Sequence, residues 1–397
     1  MPSHTKFNVR QADIELSSHS GLALLGDLMA ACDFKHEVDK VHLLRRPNPE
    51  LRHGEVLGTM AALLFLGKPD YDAVKPFHDD KLMRQALGLP RIPSAETLRD
   101  RLEKAEHQFD KVVKNLSTDI VRRFGQITPC YQHETGNLVK EYIPLDIDVT
   151  PFDNSGSHKE GVSRTYHNCD GYAPIFAYLG VEGCLINCEL REGRTHSQKG
   201  GANFLHESIR LARQSLPANS ADGVQRAILT RMDSAHDALD NIRVCIEEHA
   251  DWLIKRNIRN EDPQSWLQTA QPLGVLSQPR EGKKVWTGAY FTERENLTLR
   301  LVFMELERLP SGKFATNNLI LLLGMFAYNA LRLIGQSSLS FPGPNRREAT
   351  RRRIRTVLQD IVYMACQVVS HARRWWLLFG RNNRWYPVWR GVHQAFS

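Results

Sequence analysis

The chain has 397 residues, 42% of them hydrophobic and 24% charged, the make-up of a soluble globular protein of about two or three domains, not of a disordered or low-complexity chain. No run of ~18 to 20 consecutive apolar residues and no apolar leader is present, so neither a membrane span nor a secretory signal is expected. The net charge of +7 is concentrated at one end: Ser340 to Ser397 holds eleven arginines, no lysine and two acids, and the remainder is near neutral.

Residues 1 to about 135 read as helical. Gly21 to Ala30 and Val56 to Leu66 are apolar helices, the second closed by Gly67 and Pro69. Asp79 to Leu87 is a short helix and Gly88 to Pro93 a turn. Ser94 then N-caps a long amphipathic helix carrying Leu98, Leu102, Phe109, Val112, Val113 and Leu116 at helical spacing. Short helix, turn and helix are compatible with a helix-turn-helix, although ordinary helix packing is the commoner use of such a pair. From Tyr142 the period changes from 3.6 to 2. Ala173 to Gly180 and Cys184 to Leu190 form a hairpin. Helix His206 to Gln214, strand Arg226 to Met232, helix Asp240 to His249 and strand Trp252 to Lys255 follow. Strands alternating with helices predict an α/β sheet domain, α+β when the whole chain is counted. Residues 260 to 283 read as a loop, followed by strands Lys284 to Phe291 and Leu297 to Phe303 and a helix from Asn318 to Ile334. After a linker from Gln336 to Asn345, one final helix is expected from Arg346 to Phe379.

The seven cysteines form no Cys-x-x-Cys pair, which reads as a reduced, cytoplasmic protein and not a disulfide or zinc scaffold. The basic end selects a polyanion, nucleic acid first; membrane lipid is disfavoured because no lipidation signal accompanies it.

The chemistry is concentrated in Leu145-Asp146-Ile147-Asp148-Val149-Thr150. Desolvating an ionised Asp costs several kcal/mol unless something pairs with it. Alternation sends Asp146, Asp148 and Thr150 to one face of a strand and Ile147 and Val149 to the other. A second β-prone run, Ala227 to Met232, ends in Asp233. Two strand-end carboxylates suit a hard divalent cation, which needs only a few such ligands. The bland alternative is that Asp146 and Asp148 end a strand on the surface and Asp233 starts a turn.

Five segments sharpen this reading: Leu145 to Thr150, Lys159 to Tyr166, Asp170 to Pro174, Arg231 to Ser234 and Glu307 to Asn317. In this order they resemble the DDE transposases of bacterial insertion sequences, in the subgroup with a β-rich insertion inside a ribonuclease H-like core. The similarity covers nearly the whole chain. It implies a helical N-terminal domain over 1–138, a ribonuclease H-like core over 139–336 with an insertion at about 257–304, and a basic helical tail over 337–397. It implies a nuclease and strand transferase that uses Mg²⁺ or Mn²⁺. Such an enzyme cuts transposon terminal inverted repeats and joins the freed 3′ hydroxyl to target DNA, as a homodimer in the DNA complex. Asp148 matches the first catalytic Asp, with Asp146 as runner-up, and Asp233 the second; all three are candidate metal ligands. Lys159, Arg164, Lys255 and Arg256 look like DNA-backbone contacts, or equally like solvated surface charge.

The third acid departs from the family pattern. The family places a Glu on a helix beyond the insertion, before the Glu-Arg-Leu-Pro-Ser-Gly-Lys segment. Here strand Leu297 to Phe303 runs almost directly into Met304 to Arg308 and leaves no room for that helix. Glu295 and Glu305 are the nearest acids, both flanking the strand. An internal deletion near Met304 accounts for this and predicts impaired chemistry; the alternative is a non-catalytic DNA-binding remnant that inhibits intact copies. In the tail, Ile354, Val357, Leu358, Ile361, Met364 and Val368 lie at helical spacing. Arg346, Arg347, Arg351, Arg352, Arg353 and Arg355 cluster at the expected helix start, where the macrodipole disfavours cations unless a phosphate backbone lies close.

Overall fold

The computed structural model describes residues 11, 13–41, 50–135, 138–196, 198–216, 224–255, 257, 268, 272, 275–280, 283–287, 293–294, 297–298, 314–344, 350–371 and 374–397. Its elements begin with β1 (Leu16–Ser17), α1 (Gly21–Ala31), α2 (Phe34–Asp39), α3 (His53–Phe65), α4 (Lys81–Ala86), α5 (Ala95–Ala105) and α6 (Asp110–Phe124). The central run is β2 (Tyr131–Thr135), β3 (Leu138–Val149), β4 (Phe152–Asp153), β5 (Ser163–Arg164), β6 (Asp170–Tyr172), β7 (Ile175–Leu179), β8 (Cys184–Glu189), α7 (Gly201–Ser215), β9 (Val224–Met232), α8 (Leu239–Glu247) and β10 (Asp251–Ile254). Then come β11 (Val275–Arg280), β12 (Lys283–Thr287), β13 (Glu293–Arg294), β14 (Leu297–Thr298), α9 (Phe314–Ser337), α10 (Ile354–Val357), β15 (Cys366–His371), β16 (Arg374–Phe379) and α11 (Tyr386–Phe396). Contacts gather the chain into two units, Met1–Lys104 with Ala330–Ser397, and Ala105–Asn329.

The first unit is built on α1 and α3, whose Leu22, Leu24, Leu25, Leu28, Val56, Leu57, Met60 and Leu63 are fully buried. Helices apolar on every side belong inside a core. At Gly26 a Cβ would stand 2.2 Å from the Ala86 carbonyl oxygen, so only glycine lets α1 and α4 approach this closely. Asp80 caps α4 by accepting the Met83 N–H (2.7 Å), and the Ser94 hydroxyl accepts the Thr97 N–H (3.2 Å) at the start of α5. The long helix expected from Ser94 is two helices. It breaks after Ala105, where Glu106 takes a left-handed backbone (φ 44°), and α6 restarts at Asp110.

The basic tail is likewise not one helix. α10 passes into a single π-helical turn, Leu358–Val362, and the chain then turns into the hairpin of β15 and β16, which β1 extends to three strands. Met364 and Val368 fit both a helical stripe and strict alternation, whereas Cys366 between them fits only alternation. The β-branched and aromatic run around them decides for strands. α9 is long and apolar enough to cross a bilayer, but 89% of its most apolar window is buried, as in a core helix.

The second unit carries the mixed sheet, in the order β10-β9-β3-β7-β8, with β2 also paired to β3. β3, β9 and β10 run parallel, β7 is antiparallel to β3, and β8, antiparallel to β7, runs in the direction of β3 again. Alternation sends Ile143, Leu145, Ile147, Ile175, Ala177 and Ile228 to one face, where they join Phe204, Leu205 and Ile209 of α7 and Ile242 and Cys245 of α8 in a closed core. This is the ribonuclease H-like sheet, flanked by helices, that the sequence leads one to expect. The outer edge, β8, is capped by two asparagines of α9. Asn329 accepts the Leu185 N–H (2.9 Å) and donates to the Leu185 carbonyl (2.7 Å), and Asn318 accepts the Leu190 N–H (3.0 Å). Within the stretch expected to be a loop at 260–283, Val275–Arg280 is a strand paired with β12. Residues 299–313, where the third acid is sought, lie outside the described residues, as do Glu295, Glu305, Arg256, Arg346 and Arg347.

Candidate active site

β3 and β9 lie side by side in parallel register, Leu145 against Thr230, Asp146 against Arg231 and Ile147 against Met232. Asp148 is the next residue of β3, and Asp233 directly follows the last residue of β9. Parallel neighbours sit about 4.8 Å apart and residues in register share a face, so both aspartates leave the sheet on the side away from the apolar core. On the other flank of β3, Asp146 is opposite Tyr178 and Asp148 opposite Phe176. Those two rings, with centroids 6.0 Å apart, floor the acidic face. Burial first, then the neighbouring Tyr328, Cys188 and Asp148, push the Tyr178 hydroxyl well above its ordinary range, so it stays protonated.

The two aspartates of β3 meet different environments. Asp146 receives a two-pronged hydrogen bond from Arg231, Nε to Oδ1 at 2.5 Å and Nη2 to Oδ2 at 2.6 Å. Both its oxygens are thereby engaged in a charge-assisted pair. Asp233 follows β9 and caps the 3₁₀ turn Ser234–His236, its Oδ1 accepting the Ala235 N–H at 2.9 Å. Burial pushes its carboxyl above the ordinary value. The Ala235 and His236 N–H groups and the charge of Lys255, just past β10, pull it back. Lys255, expected to meet the DNA backbone, thus also acts on the second aspartate.

Two residues of the site were not singled out from the sequence. Arg231 repeats, with Asp233, the two-residue spacing of Asp146 and Asp148, and that shared period is the one signal that would have paired them. His236 is 1% exposed and sits directly beneath Asp233: its N–H donates to the Asp233 carbonyl (3.2 Å), and its own carbonyl accepts from Asn241 (2.9 Å). Burial, with the charges of Arg191 and His196, lowers its imidazole to about 4, so it is neutral. Nothing in the local sequence marks it.

Of the other candidate contacts, Lys159 is half-buried, and burial lowers its ammonium below the ordinary value. Arg164 is exposed and paired with Asp170 at 3.6 Å, within the small sheet of β4, β6 and β5 that follows β3. Arg351, Arg353 and Arg355 are exposed. Arg352, placed with them as a DNA contact, is instead 7% exposed, with its guanidinium 4.8 Å over the Trp385 ring. The pattern of four basic residues hid one that stacks inward. Among the described residues, no three His, Cys, Asp or Glu side chains converge on a metal site. Asp148 and Asp233 supply hard oxygen donors, the type that fits a divalent cation which keeps several of its waters.

The family model for transposase DDE domain group 1 matches residues 3–275. Among solved structures the chain is similar to the cryo-EM structure of a piggyBac transposase synaptic complex with hairpin DNA, at 11% identity and a TM-score of 0.39, over 88% of this chain and 80% of that one. No curated protein matches the chain.

Proposed function

Because the chain belongs to the family of group 1 transposase DDE domains, we propose that it is the DNA transposase of an insertion sequence, cutting the terminal inverted repeats and joining the freed 3′ hydroxyl to target DNA. The observation that carries this reading is the placement of Asp148 and Asp233 one step beyond the Ile147–Met232 pair, on one face of adjacent parallel strands. These two carboxylates would hold Mg²⁺ or Mn²⁺, which in such sites stabilises the attacking and leaving oxygens of an in-line displacement at phosphorus. The remaining roles belong to the chain itself. Arg231 occupies both oxygens of Asp146, which supports Asp148 as the first acid with Asp146 as runner-up. Lys255 favours the ionised form of Asp233. The capped turn and the buried His236 fix where the Asp233 carboxylate starts. The protein works on DNA in the cytoplasm, as a homodimer when DNA is bound.

Retained activity is a separate matter. The short interval between Phe303 and Glu307 favours the second reading, a DNA-binding protein impaired by loss of the third acid and able to interfere with intact copies. A cleavage assay on DNA bearing the element's own ends, with Mg²⁺ and then Mn²⁺, tests both. The expected result is binding with cleavage weak or absent. A lost ligand worth about 3–4 kcal/mol lowers the rate roughly 100- to 1,000-fold, and Asp148→Asn or Asp233→Asn removes what remains. Robust cleavage that Glu295→Gln or Glu305→Gln abolishes would overturn the impairment. Failure to bind DNA would overturn the whole reading.

A further inference from the structure

The hairpin of β15 and β16 has two unlike faces. Cys366 and Val368 pack with Leu82, backed by Leu377 and Phe379, and form its inner face. The registers Gln367–Leu378, Val369–Trp376 and His371–Arg374 put the alternate residues on the outer face, and β1 adds Leu16 opposite Gln367. That face leaves large apolar groups open beside Gln367, His371 and Arg374: Leu16 is 68% exposed, Trp376 49% and Leu378 48%. A sheet that leaves a tryptophan and two leucines to water has a partner to cover them.

The surrounding charge identifies the partner. From Ile361 to Ser397 the sequence has no Asp or Glu, five arginines and four tryptophans. Arg374 shares the outer face with Trp376, and Arg381, Arg384 and Arg390 are exposed in the segment that follows. Glu15, beside the third strand, is paired with Lys81. A cationic hairpin with no acid of its own that also exposes an indole on a flat sheet suits a nucleic acid whose bases are free to stack. In a duplex the bases stack on each other and offer an indole only edges and backbone, whereas an unpaired strand presents a π-face to an aromatic platform and its phosphates to arginine. We propose that the outer face of this hairpin is a stacking surface for unpaired DNA, with Trp376 as the platform and Arg374 beside the backbone. This rests on the transposase reading, in which the cut ends of the element, made by this chain or by an intact copy, present unpaired nucleotides.

The test compares the full-length protein on a blunt duplex and on the same duplex extended by an unpaired tail, at one fixed salt concentration. The wild type is expected to bind the tailed DNA more tightly. Trp376→Leu keeps the apolar area but loses the ring, and should weaken tailed binding about tenfold while blunt binding, carried elsewhere, stays the same. Trp376→Phe should restore most of the difference. The residue is half-exposed, so melting temperatures of the variants should match the wild type. Equal affinity of the wild type for both DNAs, or equal losses in Trp376→Leu on both, would overturn the proposal while leaving duplex binding, and with it the transposase reading, intact. A dimer of the free protein that dissociates on Leu378→Lys would mean that a second copy covers this face, and would overturn it as well. Absence of binding to either DNA would instead strike the transposase reading itself.

Discussion

His53 opens α3, where the helix N-terminus already disfavours a cation. Arg101 donates from Nη2 to its Nδ1 at 3.1 Å, a bond that requires that nitrogen to be unprotonated. Burial, then the charge of Arg101, lowers the imidazole from 6.5 to about 4. Between those two values the unfolded chain binds the proton and the folded chain does not. Stability is therefore complete above pH 6.5 and is lost as pH falls towards 4. A melting-temperature curve against pH should decline over that window, and His53→Gln should flatten the decline. Buried His236 has the same sign of shift, so part of the slope should persist in the single variant. An unchanged curve in His53→Gln would mean that other groups carry the acid limb. At the same scale, Asp146 and Asp148 share residue type and strand face, and Arg231 is bound to Asp146.

At the scale of elements, the exposed edge of a sheet needs a partner for its N–H and C=O groups. In the second unit α9 supplies it with side chains. The Asn329 amide serves both backbone groups of Leu185 and donates to the Ser117 hydroxyl of α6 at 2.9 Å, with the asparagine itself fully buried. Replacing it by leucine would leave those groups buried without partners, at about 1–3 kcal/mol each. Asn329→Leu should therefore destabilise the protein by about 3 kcal/mol or more in denaturant unfolding. A change below about 0.5 kcal/mol, the scatter of neutral surface substitutions, would show that the edge is satisfied in another way. In the tail the expected helix gave way to a hairpin for a related reason. Short apolar runs satisfy both periods, and pairing with β1 adds hydrogen bonds that only the extended form can accept.

For the whole molecule the dominant asymmetry is charge. The basic C-terminal segment exposes Arg351, Arg353 and Arg355, while Arg352 turns inward onto Trp385. DNA affinity should fall linearly with salt on logarithmic axes, with a slope of about −0.9 per phosphate contact. Replacing Arg351, Arg353 and Arg355 by Ala should flatten that slope. Arg352→Ala should leave the slope alone and lower the melting temperature, because it removes packing and a cation–π contact. A slope that changes only with Arg352→Ala would reverse this assignment.

The sequence alone carried the class of fold, the alternation that hides Ile143, Leu145 and Ile147, the Asp-x-Asp spacing, the five segments that resemble a transposase and the basic end. All of these are local in the chain: they depend on the period of apolar residues, on residue type and on neighbours a few positions away. It did not carry that Arg231 binds Asp146, which arginine is buried, how the edge of the sheet is closed or that the tail is a hairpin. Arg231 reaches Asp146 across 85 positions, and Asn329 reaches Leu185 across 144. Such partners are chosen by strand order and helix docking. A carboxylate or a guanidinium has the same intrinsic chemistry in every fold, and what it pairs with is set by whichever distant segment the packed core brings beside it.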